Sequence, residues 1–149
     1  MAKTQSAVYT GKRAVPQPYD ATLAQVTVDF DFPTAAPAAG DLFELIKIPA
    51  GIELIDYDIT WPQIDTNASP TFAGSLGSEN AGFTDLGAVY ESGMTPGRNA
   101  GGTIVRAGLA AASQASKSAE RAIAFKVTAA AATWAGAGLT GRIVFHLRG

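Results

Sequence analysis

Cysteine is absent from the 149 residues. That removes disulfides and thiolate metal sites as a means of holding the chain together, and it permits assembly in a reducing cytoplasm. Histidine occurs once, at His146, so zinc centres built from His and Cys are excluded. Charge is sparse, at 16% of residues with a net of −2, and no apolar run approaches the ~20 residues that span a bilayer. The opening M-A-K-T-Q-S-A-V-Y-T has no apolar h-region, so the chain is expected to be soluble, without membrane contact, and not secreted by the ordinary route. Long amphipathic helical patterns are also missing. The Ala/Ser-rich stretch Gly108 to Glu120 has Leu109 as its one large apolar residue, which gives a helix no face to bury.

What is present is period-2 alternation. Ala24, Val26, Val28, Phe30 and Phe32 fall on one face of an extended segment, with Gln25, Thr27, Asp29 and Asp31 on the other. Ile55, Tyr57, Ile59 and Trp61 oppose Asp56, Asp58 and Thr60 in the same way, as half-buried strands do. Leu42 to Ile48 is apolar on both faces apart from Glu44 and Lys47, which marks a central strand or an edge covered by another subunit. Phe72 to Leu76 is short and glycine-punctuated, as expected where another backbone approaches closely. Thr103 to Ala107, Arg121 to Thr128 and Leu139 to Arg148 complete a set of seven or eight short strands. Pro49-Ala50-Gly51, the Asp/Asn/Ser/Pro turn at 65–70 and Gly136-Ala137-Gly138 punctuate them. The fold class predicted is all-β: one antiparallel β-sandwich or jelly-roll domain over 21–149. Residues 1–20, with Pro16, Pro18 and no periodicity, read as an extended N-terminal arm. From Ser78 to Gly102 periodicity is lost, and the expectation is a long surface loop with one helical turn at Thr84 to Glu91.

Signatures of chemistry are weak. Ala73-Gly74-Ser75-Leu76-Gly77 lacks the strand–turn–helix setting of a nucleophile elbow. Gly93 to Gly102 has Arg98 but no phosphate-loop lysine. Asp65-Thr66-Asn67-Ala68-Ser69 places oxygens at alternate positions, but Pro70 and Leu76 stand where a calcium loop needs Gly and Glu. Turn capping is the better reading there, with a looser cation site at Asp56, Asp58 or Asp65 left open. His146, beside Arg148 on the polar face of the last strand, reads as a solvated or interface residue. No acid, base and nucleophile set emerges, so neither an enzyme nor a cofactor is expected. Charge is uneven: +2 over residues 1–20, −7 over 21–65 and +3 over the remainder. That suits contact between copies or with a charged lattice better than it suits nucleic acid.

The run from Ile48 to Thr71, an apolar strand, P-A-G, an apolar/acidic strand and then D-T-N-A-S-P-T, together with T-W-A-G-A-G-L-T-G-R-I-V-F-H at Thr133 to His146, resembles the head decoration (cement) proteins of tailed bacteriophages. The resemblance spans about two-thirds of the chain. It implies a small sandwich on the outside of a virion, assembled in the host cytoplasm, that binds the major capsid protein and locks capsomers, with self-association into a dimer or trimer. On that reading the contact residues are Lys3, Tyr9, Lys12, Arg13 and Tyr19 of the arm and Tyr90, Met94 and Arg98 of the long loop. The competing readings are another virion β-domain, tail or fibre-associated, and a carbohydrate-binding module, which would need exposed aromatics on one sheet face.

Overall fold

A computed structural model describes residues 1–15, 23–100, 103–108 (backbone only) and 117–149. Nine strands lie within them: β1 (Lys3–Gln5), β2 (Leu23–Asp31), β3 (Leu42–Ile48), β4 (Glu53–Trp61), β5 (Ala73–Glu79), β6 (Leu86–Met94), β7 (Thr103–Gly108), β8 (Arg121–Ala129) and β9 (Thr140–Arg148). They form a five-stranded sheet, β1-β3-β8-β5-β6, facing a four-stranded sheet, β2-β9-β4-β7. Leaving β1 aside, successive strands alternate between the two layers except at the β5–β6 hairpin, and late strands insert between early ones. This is the jelly-roll form of a β-sandwich. β1 joins the edge of β3 in parallel, and every other pairing is antiparallel.

The alternation read from sequence sets the inner faces. Val26, Val28, Phe30 and Phe32 face Tyr57, Ile59, Trp61, Ile143, Phe145 and Leu147 of their own sheet, and Phe43, Leu76, Ile123, Phe125 and Val127 of the other, in one buried cluster. Trp61 is its hub, with ring centroids 4.9 Å from Phe125, 5.2 Å from Phe32 and 5.6 Å from Phe30. These edge-on and tilted contacts are the arrangement that aromatic quadrupoles favour. In β5, Gly74 and Gly77 are required by proximity. A Cβ at Gly74 would stand 2.6 Å from the Lys126 carbonyl oxygen, and one at Gly77 2.0 Å from that of Ala88.

Three features depart from the sequence reading. Ile55 does not share the inward face of Tyr57. Leu54 pairs with Leu147 and Asp56 with His146, so Ile55 is the extra residue of a bulge; Leu54 is buried in its place and Ile55 is left half-buried. A bulge shifts parity by one, which is why strict alternation misplaced this residue. The long loop with a helical turn expected from Ser78 to Gly102 is, over residues 78–94, the second half of a hairpin in which Leu86–Met94 is strand β6; residues 101–102 lie outside the described residues. Three register shifts along β5–β6 and exposure of most of β6 erase the period-2 signal there. Finally, residues 1–15 of the segment read as an extended arm contribute to the sandwich, and 16–20 lie outside the described residues. Lys3–Gln5 is a strand, and Val8 and Tyr9 are buried. Residues 6–11 make one helical turn. Ser6 caps it by accepting from the Tyr9 amide at 3.0 Å, and Gly11 ends it at φ 78°.

Candidate interaction surface

The residues expected to make contacts divide sharply in the structure. Lys12 and Arg13 are exposed. Lys3 is committed within the chain, its Nζ 2.9 Å from Glu44 Oε1. Tyr9 donates to Glu79 Oε2 at 2.7 Å, and Tyr19 lies outside the described residues. Met94 is buried against the Tyr57 hydroxyl, 3.8 Å from its Sδ, and Tyr90 packs half-buried against the core. Arg98 donates to the carbonyls of Phe72 (2.6 Å) and Thr71 (3.0 Å). It thereby fixes the loop that carries the 65–72 turn, a role sequence reasoning missed because the two carbonyls are 26 and 27 residues away.

That turn is organised by Asp65. Its Oδ1 accepts from the amides of Asn67 (3.3 Å) and Thr133 (3.1 Å), and its Oδ2 from those of Thr71 (2.8 Å), Phe72 (3.0 Å) and Ala132 (3.0 Å). Burial opposes the charge, but the backbone donors Thr133, Phe72, Ala132 and Thr71 outweigh it and hold the carboxyl down at about 2. Five N–H donors with their positive ends aimed at the carboxylate already satisfy it and oppose the approach of a cation, so the alternate-oxygen pattern here is turn capping. No cluster of three His, Cys, Asp or Glu side chains suited to a metal exists among the described residues.

Among the described residues, two surfaces stand out. The outer face of the four-stranded sheet is a ladder of opposite charges. Arg142 grips Asp29 with Nε at 2.8 Å and Nη2 at 3.2 Å, Arg148 reaches Glu53 at 2.5 Å, and His146 Nδ1 hydrogen-bonds Asp56. Hydrogen bonds from Arg142 hold the Asp29 carboxyl below its ordinary range. Beside the His146–Asp56 pair lies an open depression of about 410 Å³ lined by Leu23, Ala24, Gln25, Ile55, Asp56 and His146. The bulge at Ile55 gives it an apolar wall. The second surface is the β6 edge. β6 ends its sheet, runs nine residues without lysine or proline, and presents Val89, 52% exposed, with Phe83 exposed at the hairpin tip. Phe83 sits at φ 53°, held by its amide on the Asn80 carbonyl at 3.0 Å. A strand at the end of a sheet leaves a row of backbone groups that can pair with another chain.

No family model matches the sequence, and no curated protein matches it. Among solved structures, the chain is similar to one from the capsid of Ralstonia phage GP4, with a TM-score of 0.85 and 28% sequence identity over 99% of this chain and 97% of that one. It also superposes on a chain from the cyanophage Pam1 capsid asymmetric unit, at a TM-score of 0.62 and 20% identity over 91% of each. That second likeness is one of fold.

Proposed function

We propose that this chain is a structural, non-enzymatic virion protein that binds the outside of a phage capsid and stabilises it by bridging capsomers. The observation that carries the reading is the likeness to the GP4 capsid chain, which extends over essentially the whole of both chains. The surface described above supports it. The β6 edge and the exposed Lys12 and Arg13 are the contact groups we assign, and partners of the right chemistry are the major capsid protein and further copies of this chain. Mechanistically, weak contacts repeated over a symmetric lattice sum, because a copy held at one point makes its second contact at high effective concentration. Self-association into a dimer or trimer would cover sheet edges by the same logic. A carbohydrate-binding platform is not favoured, since Phe30, Tyr57, Trp61 and Phe125 are all buried.

Quantitative peptide mass spectrometry on purified particles tests the reading. A copy number equal to that of the major capsid protein, or a simple fraction of it, is expected. A few copies per particle would move the chain to the tail or portal, and absence from particles would overturn the virion assignment. Val89→Lys tests the edge. With Val89 half-exposed, a stability change within about 0.5 kcal/mol is expected, together with weakened co-sedimentation with undecorated capsids. Undiminished binding removes β6 from the interface.

A further inference from the structure

The outer face of the five-stranded sheet is built from small side chains: Ser75 and Gly77 of β5, Ala122 and Ala124 of β8. All are buried, although Ile123, Phe125 and Val127 take the core side of β8. What crosses this face is the N-terminal segment. Beyond β1, the Ser6 hydroxyl donates to the Leu45 carbonyl, the Ser6 amide to Glu44 O at 3.0 Å, and Tyr9 reaches over to Glu79 on β5. Lys47 Nζ lies 4.9 Å from the Tyr9 ring centroid and 5.9 Å from that of Phe83.

The segment is therefore anchored on two acids from strands that are not neighbours, Glu44 of β3 and Glu79 of β5. Glu44 accepts from Lys3 at 2.9 Å and Gln5 at 2.6 Å, and Glu79 from Tyr9. Glu44 pairs with Ala124 and Ala124 with Gly77, two residues before Glu79, so the two carboxyls converge over the small side chains of β8 and each acts on the other; a hydrogen bond between them requires a proton on one. The second Glu79 oxygen, Oε1, is buried and has no hydrogen-bond donor among the described residues. A bare carboxylate oxygen would be costly there, whereas a protonated one has Glu44 to donate to. We propose that a proton shared between Glu44 and Glu79 is the catch of a clip holding residues 2–13 on this face, and that its removal loosens the segment without unfolding the sandwich.

The electrostatics agree with that geometry. Burial, with Glu44 adding to it, pushes the Glu79 carboxyl up to about 7, against the pull of the Tyr9 hydroxyl and Lys3. Burial also opposes the charge on Glu44, but hydrogen bonds from Lys3, Gln5 and Glu79 hold that carboxyl below the usual range. The other charged groups on this side are Lys47 of β3, placed over Tyr9, and Lys126 of β8, paired with Asp85 at 2.7 Å. The clipped state binds the extra proton between the ordinary carboxylate value and about 7. Opening of the segment therefore becomes easier as pH rises through that window, by at most about tenfold per pH unit, and levels off above it. A released segment would carry Lys12 and Arg13 to a neighbour, a consequence that rests on the capsid reading; the clip itself does not.

Amide hydrogen exchange on the full chain tests the clip. The reporters are Ser6, Thr10 and Arg13, whose amides bond Glu44 O, Ser6 O and Ala7 O, with amides of β9 as the internal reference. After correction for intrinsic exchange, protection of the three reporters is expected to be at least about tenfold lower at pH 8 than at pH 5 while β9 is unchanged. Glu79→Gln, which keeps a donor toward Glu44 and an acceptor for Tyr9 but cannot titrate, should abolish the difference. Equal protection at both pH values, a parallel loss in β9, or an undiminished pH response in the variant would each overturn the proposal. Should the variant fold poorly, side-chain carboxyl NMR titration of the wild type decides. One of the two glutamates titrating near neutrality supports the shared proton, and both titrating in the ordinary carboxylate range refutes it.

Discussion

Asp65→Ala should be among the most damaging single changes outside the aromatic core. Five backbone amides converge on one fully buried carboxylate. It joins the turn before β5 to the segment between β8 and β9, where Ala132, Thr133 and the isolated bridge to Trp134 lie. Removing it leaves the buried Phe72 amide without an acceptor, at about 1–3 kcal/mol, and strips a charged partner from four half-buried donors that water only partly repays. The contributions do not add, and a total loss of about 3–5 kcal/mol is expected. For a domain of this size that corresponds to a fall in Tm of roughly 10–15 °C. Urea unfolding followed by tryptophan fluorescence measures it, and an unchanged m-value would show that the native and denatured states are otherwise comparable. The pH dependence supplies a second check. The folded carboxyl sits at about 2, below its unfolded value, so the associated stability, on the order of 2 kcal/mol, is present above about pH 4 and is lost as pH falls toward 2. The variant should lack that acid limb. A loss below about 1 kcal/mol, or an unaltered acid limb, would refute the claim that Asp65 ties the two segments together.

Trp61→Ala is expected to cost about 3–5 kcal/mol as a large-to-small change at the hub of the aromatic cluster, and a denaturant midpoint shift worth less than about 1 kcal/mol would place Trp61 outside the core. Because the Trp61 indole nitrogen is buried without a partner among the described residues, Trp61→Phe is expected to cost only about 1–2 kcal/mol. The bulge is tested by a neighbouring pair: Leu54→Lys should destabilise by more than about 3 kcal/mol, as a charge placed in the core, while Ile55→Lys stays within about 1 kcal/mol. Equal losses in chemical denaturation would mean that the register shift lies elsewhere.

How much of this was legible depended on whether a strand buries one face without interruption. β2, β8 and β9 do, and their inward residues Val28, Phe30, Ile123, Phe125, Ile143 and Phe145 are buried as their spacing predicts. β3 advertised burial on both sides, and it is an inner strand with its second face closed by its own N-terminal segment. What failed was local. A single inserted residue at Ile55 reversed parity for the first half of β4. β6, exposed along most of its length and thrice out of register with β5, carries no periodic signal to detect. The N-terminal segment was opaque because its attachment is polar and long-range: Tyr9 finds Glu79 70 residues away and Gln5 finds Glu44 39 away, distances at which pattern says nothing. The capping role of Asp65 was readable from turn chemistry, but its bonds to Ala132 and Thr133, 67 and 68 residues on, were not.

The interleaved strand order constrains when this molecule comes into being during synthesis. Among the described strands only β5 and β6 are both consecutive in sequence and paired; every other partnership waits for a distant stretch of chain. The four-stranded layer is the extreme case, because β9 lies between β2 and β4 and pairs with both. Until residues 140–148 have been made, β2 has no hydrogen-bonded neighbour and the inner faces of both layers lack Ile143, Phe145 and Leu147. Such topology closes slowly, since long loops must be ordered before contacts reward them. It also means that without β9 the four-stranded layer has nothing to join β2 to β4, so the two halves of that layer come together in a single late step.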